Sequence, residues 1–136
     1  MKNCLVADQM TADGRMVSGM DYIIKVLEYC RKREDNLRNG ESVGKYNLYF
    51  DRMRKYARKL IDENGQEALL PYLENESISV RSDIAGLLFH CYPEQCTQVL
   101  QEIAAMTPQN GLPKCFIRIV VAARDTLKYS VHTNFP

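Results

Sequence analysis

The stretch LLPYLENESISVRSDIAGLL, residues 69 to 88, decides the fold. Its apolar residues fall at helical spacing on both sides of a polar turn. Leu69, Leu70 and Leu73 form one short stripe before ENES, and Val80, Ile84, Leu87, Leu88 and Cys91 form another after it. Two stripes so close in sequence bury themselves most readily against each other, as a helix, a turn and a returning helix. Ser77 or Ser79 is placed to cap the second helix by accepting a backbone N–H. Ala85 is small where the two helices must approach, and Arg81 can reach back to the carboxylates or carbonyls of the turn.

Outward from this hairpin, Asn39-Gly40, Asn64-Gly65, Pro93, Pro108 and Asn110-Gly111 cut the chain into helix-sized pieces. The piece from Ser18 to Asn39 stripes Met20, Ile23, Leu27 and Cys30, with Ile24 and Val26 beside them and Ser18 or Asp21 as its cap. The next piece is the clearest amphipathic helix. It aligns Tyr46, Tyr49, Phe50, Met53, Tyr56, Ala57, Leu60 and Ile61 toward a core, and Gly65 fits a left-handed cap after it. A helix opened by Pro93 carries Cys96, Val99, Leu100 and Ile103. The last piece is apolar on nearly every side from Cys115 to Ala123, as expected of a helix packed between neighbours. Reading FIRIVVAA as a strand would leave its ladder groups unmatched. The expectation is an all-α fold: a right-handed stack of about five or six antiparallel helices in one domain over 1–136, with 1–17 irregular and 130–136 a tail.

Three stretches then carry a resemblance: KYNLYFDRM (45 to 53), ALLPYLENESISVRSDIAGLL (68 to 88) and YPEQCTQVLQEIA (92 to 104), followed by a weaker match at GLPKCFIRI. From about Met20 to Thr126 the chain resembles the small bacterial HEAT-like domains of the domain-of-unknown-function family numbered twenty-nineteen. Asn47 is the least generic residue in that match, since an amide inside an aromatic stripe is not demanded by periodicity; its bland role is an interhelical hydrogen bond or an exposed side chain. The resemblance implies a HEAT-like stack and carries no catalytic residues. Because helical domains of this kind occur in bacterial toxin-immunity cassettes, it also implies an immunity protein that neutralises a toxin by direct binding.

Composition agrees with a folded binding domain. The chain has 136 residues, 46% hydrophobic and 26% charged, which is ordinary for a globular protein and too apolar for a disordered one. No segment offers the roughly 20 apolar residues that cross a bilayer. The opening MKNCLVADQMTADGR meets Asp8 and Asp13 too early for a secretory leader, so a cytoplasmic location is expected. The five cysteines, Cys4, Cys30, Cys91, Cys96 and Cys115, are odd in number and widely spread, which reads as reduced core thiols.

Catalytic chemistry finds little support. Histidine occurs only at 90 and 132, and neither lies in a recognisable triad or dyad. His90 is expected to be a partly exposed helix residue. It and Cys91 are adjacent and point in different directions on a helix. His90, Cys91 and Cys96 form the one conceivable metal cluster, yet they lack paired C-x-x-C spacing and a fourth ligand. No phosphate-binding glycine loop is present, so neither a cofactor nor a metal is expected.

Charge says more. The formal net charge is +1, but residues 65 to 110 carry six acidic residues and one basic, Arg81. Glu67, Glu74, Glu76, Asp83, Glu94 and Glu102 therefore make the middle of the chain acidic. The expected partner-binding residues are Glu74, Glu76, Asp83 and Glu94, facing a basic protein such as a nuclease toxin domain. The alternative is a nucleic-acid surface on the basic helix 52–59, through Arg52, Arg54, Lys55, Arg58 and Lys59 with Lys45 before them. Against it stands the expectation that Tyr46, Tyr49 and Tyr56 face the core, leaving no ring to stack on a base. A scaffold with an unknown partner is the third reading.

Overall fold

The computed structural model describes residues 19–129, so the readings of 1–17 and 130–136, the Ser18 cap, Cys4 and His132 fall outside the described residues. The fold is all-α. Five α-helices, α1 (Gly19–Asn39), α2 (Val43–Asn64), α3 (Ile78–Leu88), α4 (Pro93–Ala104) and α5 (Ile117–Tyr129), are joined by 3-10 segments at Gln66–Glu74, Pro108–Asn110 and Lys114–Phe116. The described residues contain no strand, and Ile117 to Ala123 lie within α5. No described helix is long and apolar enough to cross a membrane.

α1 and α2 form an antiparallel hairpin, α3 packs against α1, and α4 packs on α3. One core joins them, with Val26, Met53, Leu69, Ile84, Leu88, Leu100 and Ile103 fully buried. Each such side chain contributes about 1.5–3 kcal/mol through removal from water. α2 starts where the Ser42 hydroxyl accepts from the Lys45 N–H. It ends where the Gly65 N–H reaches the Ile61 carbonyl. Gly65 has φ 84 and ψ 166, so it lies beyond the left-handed helical well expected of it. A Cβ there would run into the Glu67 carboxylate.

The residues from Gln66 to Glu74 form the first arm of the expected hairpin, but wound as a 3-10 helix. Pro71 lies inside it, and the clash of its ring with the carbonyl four residues back disfavours an α-helical turn there. Leu69 and Leu73 remain buried against α3. α3 begins at Ser77, whose hydroxyl accepts from the Val80 N–H at 3.2 Å. Arg81 reaches back as the sequence suggests, donating to the carbonyls of Asn75 at 2.8 Å and Glu76 at 3.3 Å. α4 opens on Pro93 and buries Cys96, Leu100 and Ile103.

Two faces differ from expectation. In α1 the buried row is Tyr22, Ile23, Val26, Cys30 and Arg33, while Met20 and Ile24 are 68% and 54% exposed. The helix is rotated toward the side that brings Arg33 inward, where its charge is matched. α5 buries Ile119, Val120 and Ala123 but exposes Ile117 and Val121. It packs mainly on α4 and secondarily on α3, so one side is covered rather than all.

Candidate functional site

Three grooves run side by side around the turn that precedes α3. The central one, of about 540 Å³, has an apolar floor of Ile78, Met106, Leu112, Pro113 and Phe116. Glu34, Glu76 and Glu102 stand on its walls with Arg38. Glu76 also lines a groove of about 580 Å³ beside Leu27, Arg31 and Asp35, and Glu102 also lines one of about 720 Å³ beside Pro71, Leu73, Glu74 and Gln98. These two carboxylates thus form the ridges between neighbouring grooves.

The local structure explains which carboxylates are already engaged. Glu34 accepts from the Ser77 hydroxyl at 2.7 Å and from Arg38 at 3.0 Å, while the Arg38 guanidinium lies 4.7 Å from the Phe116 ring centroid. That set ties α1 to the turn and roofs one end of the central groove. Among the described residues, no cation pairs with the carboxylates of Glu74, Glu76, Glu94 or Glu102. Their charge is left to solvent or to a partner.

Of the four residues expected to meet a partner, Glu74 and Glu76 lie on groove walls and are exposed. Glu94 is exposed in the first turn of α4, apart from the grooves, where a carboxylate favours the helix N-terminus. Asp83 is corrected: it is a core residue, not a surface charge. Its carboxylate Oδ1 accepts from the Arg33 guanidinium in a buried ion pair between α1 and α3. Period does place position 83 on the apolar row with Val80 and Leu87, but an acidic side chain there reads as solvated unless a buried cation is known to meet it. The missed signal is Arg33, a cation in line with Val26 and Cys30.

Arg33 is enclosed by the π faces of Tyr46 at 4.0 Å and Phe50 at 4.7 Å, and its Nε donates to the Tyr46 carbonyl at 3.3 Å. Nearby, the Ser79 hydroxyl donates to the Cys30 carbonyl at 3.3 Å. Burial raises the Asp83 carboxyl above its ordinary range, opposed by the Arg33 charge. Burial likewise pushes the Cys30 thiol well up, with the neighbouring Asp83 carboxylate adding to the effect. This seam is tightly enclosed and opens onto none of the three grooves.

The remaining candidates are dispersed. His90 sits exposed in the turn after α3, beyond the helix that was expected to hold it. Cys30 and Cys96 are buried, whereas Cys91 and Cys115 are exposed, so the core-thiol reading holds for two of the four described cysteines. Among the described residues no three His, Cys, Asp or Glu side chains are grouped to hold a metal ion. Asn47 is exposed. Tyr46 is buried as expected, but Tyr49 and Tyr56 lie half-buried at the edge of the hairpin. No protein-family model, curated protein or solved structure matches the chain.

Proposed function

We propose that the chain is a non-enzymatic protein-binding module whose acidic grooves receive a basic partner. The carrying observation is the pairing of an apolar floor, Ile78, Met106, Leu112 and Phe116, with the uncompensated ridge carboxylates Glu76 and Glu102. A floor of this kind takes an apolar anchor from the partner, and flanking carboxylates select cations beside that anchor. Glu74 extends the same field along the adjacent groove, and Glu94 adds to it from α4.

The most concrete form is a cytoplasmic immunity protein that blocks a cognate bacterial toxin. A nuclease toxin needs a positive substrate site, and an acidic grooved surface is complementary to one. The hairpin from Leu69 to Leu88, with its Arg81-clamped turn, supports the HEAT-like reading from which this form comes.

The test is binding of the polypeptide encoded beside this gene, measured by titration calorimetry at low and high salt, together with growth of cells expressing it with and without this chain. Glu76→Lys with Glu102→Lys should weaken binding at least tenfold, about 1.4 kcal/mol or more, and abolish protection. The reading fails if this double reversal changes neither the affinity nor its salt dependence.

A further inference from the structure

The outer edge of the α1–α2 hairpin has a pattern unlike the grooves. On α2, Lys45, Tyr49, Arg52, Tyr56 and Lys59 recur at four and three residue steps, and on α1, Tyr22, Lys25, Tyr29 and Lys32 do the same. Antiparallel packing interleaves the two rows. The rings of Tyr22 and Tyr56 lie 6.5 Å apart, Tyr56 and Tyr29 stack at 6.1 Å with an interplanar angle of 10°, and Tyr29 meets Tyr49 at 6.1 Å. The result is a ladder of four rings running along the hairpin. An ammonium group stands by three of them: Lys32 at Tyr49, Lys55 at Tyr56 and Lys59 at Tyr22, at 5.8, 5.7 and 6.0 Å.

Acids stand near this edge as well, among them the exposed Asp62 three residues after Lys59. Glu28 is paired with Lys25 at 3.4 Å, and Glu63 hydrogen-bonds the Tyr22 side chain at the buried end of the ladder, near Asp21. Asp51 lies next to Arg52 in sequence and is exposed. Lys32, Arg52, Lys55 and Lys59 are exposed, and the hydroxyls of Tyr29, Tyr49 and Tyr56 make no hydrogen bond among the described residues. Cations and half-exposed rings alternate along a line. A polyanion that carries flat bases at every charge matches that alternation, because phosphates take the cations and bases take the rings.

We propose that this edge binds single-stranded nucleic acid, with Lys32, Arg52, Lys55 and Lys59 on phosphates and Tyr29, Tyr49 and Tyr56 against bases. The surface is separate from the acidic grooves and does not depend on what they bind. The expectation that Tyr46, Tyr49 and Tyr56 face the core was the obstacle to such a role; Tyr46 is buried beneath Arg33 and Arg118, whereas Tyr56, like Tyr29, rests partly on the core, and Tyr29, Tyr49 and Tyr56 each keep part of their surface in solvent.

The chain has no Trp, so its intrinsic fluorescence comes from its eight tyrosines, four of which form the ladder. The experiment titrates the whole chain with an oligouridylate of about a dozen nucleotides, following that fluorescence together with anisotropy of the labelled strand. The expected result is quenching on binding, with log affinity falling against log salt at a slope of about −3 for four phosphate contacts. Between roughly 50 and 200 mM salt that is about a fiftyfold loss. The variant K32Q/R52Q/K55Q/K59Q, checked for unchanged helicity, should lose the binding, and Tyr49→Leu should weaken it by at least about fivefold. Glu76→Lys with Glu102→Lys should not weaken it. Absence of binding at about 50 mM salt overturns the proposal. Equal competition by heparin without tyrosine quenching also overturns it, since the edge would then be a general polyanion patch.

Discussion

The two halves of the molecule handle charge in opposite ways. The hairpin of α1 and α2 places tyrosines and cations along its outer edge, whereas the segment from Gln66 to Phe116 places carboxylates on the ridges between grooves. A net charge of +1 conceals that separation. It persists in space because each half folds mostly on its own sequence neighbours, so a bias along the chain becomes a bias across the surface. The two halves also meet the need for a core differently. Long helices with aromatic edges build the first, and short helices joined by 3-10 segments leave the recesses of the second. Arg33 of α1 and Asp83 of α3 join them through a buried ion pair.

Breaking that pair should give the largest effect. Arg33→Ala leaves the Asp83 carboxylate buried without its cation and is expected to lower unfolding stability by about 3–5 kcal/mol in chemical denaturation. Replacing both partners, as Arg33→Met with Asp83→Leu, should recover most of that loss, because neither charge then has to be desolvated. A single substitution costing less than about 1 kcal/mol would show that the ion pair adds little to the apolar and hydrogen-bonded contacts joining the halves.

The residues at this junction also show how much was legible beforehand. The helices, the Ser77 cap, the Arg81 clamp and the Pro93 start all follow from local spacing, and local spacing is what a sequence displays. Asp83 was assigned to the surface because the sign of a charge carries no information about a partner fifty residues away. Glu76 could be selected from composition, but the apolar floor beside it comes from Met106, Leu112 and Phe116, which only the return of the chain brings there. The tyrosine edge was missed for a related reason. Tyr46, Tyr49 and Tyr56 share one apolar stripe, yet the stripe is wider than the contact, so Tyr46 is buried and the other two lie at its margin.

A smaller effect should sharpen the boundary between the halves at Ser77. Its hydroxyl accepts from the Val80 N–H at the start of α3 and donates to Glu34 of α1. Ser77→Ala removes both bonds and should cost about 1 kcal/mol, typical of a lost helix cap. Ser77→Asp keeps a side-chain acceptor for the cap and has no proton to donate to Glu34, so recovery of stability by Asp measures the cap separately from the link to Glu34. If Asp is at least as destabilised as Ala, the link to Glu34 carries the effect and the turn is held chiefly from the α1 side.

The smallest perturbation compares the buried thiol of each half. Cys30 lies in α1 beside Asp83, and Cys96 lies in α4, where burial first and the neighbouring Cys91 second push its thiol from 9.0 to about 12. A raised thiol means that the folded chain holds this proton more tightly than the unfolded chain does. The contribution of Cys96 to stability is therefore complete below about pH 9 and lost as the pH climbs toward about 12. Near neutral pH, a thiol reagent should label the exposed Cys91 and Cys115 at once and reach Cys30 and Cys96 only through opening. Since α4 belongs to the half built of short helices, Cys96 is expected to label before Cys30, with mass spectrometry following each site. Identical rates would mean that the halves open as one cooperative unit, with the Arg33–Asp83 junction giving way no earlier than the core around it.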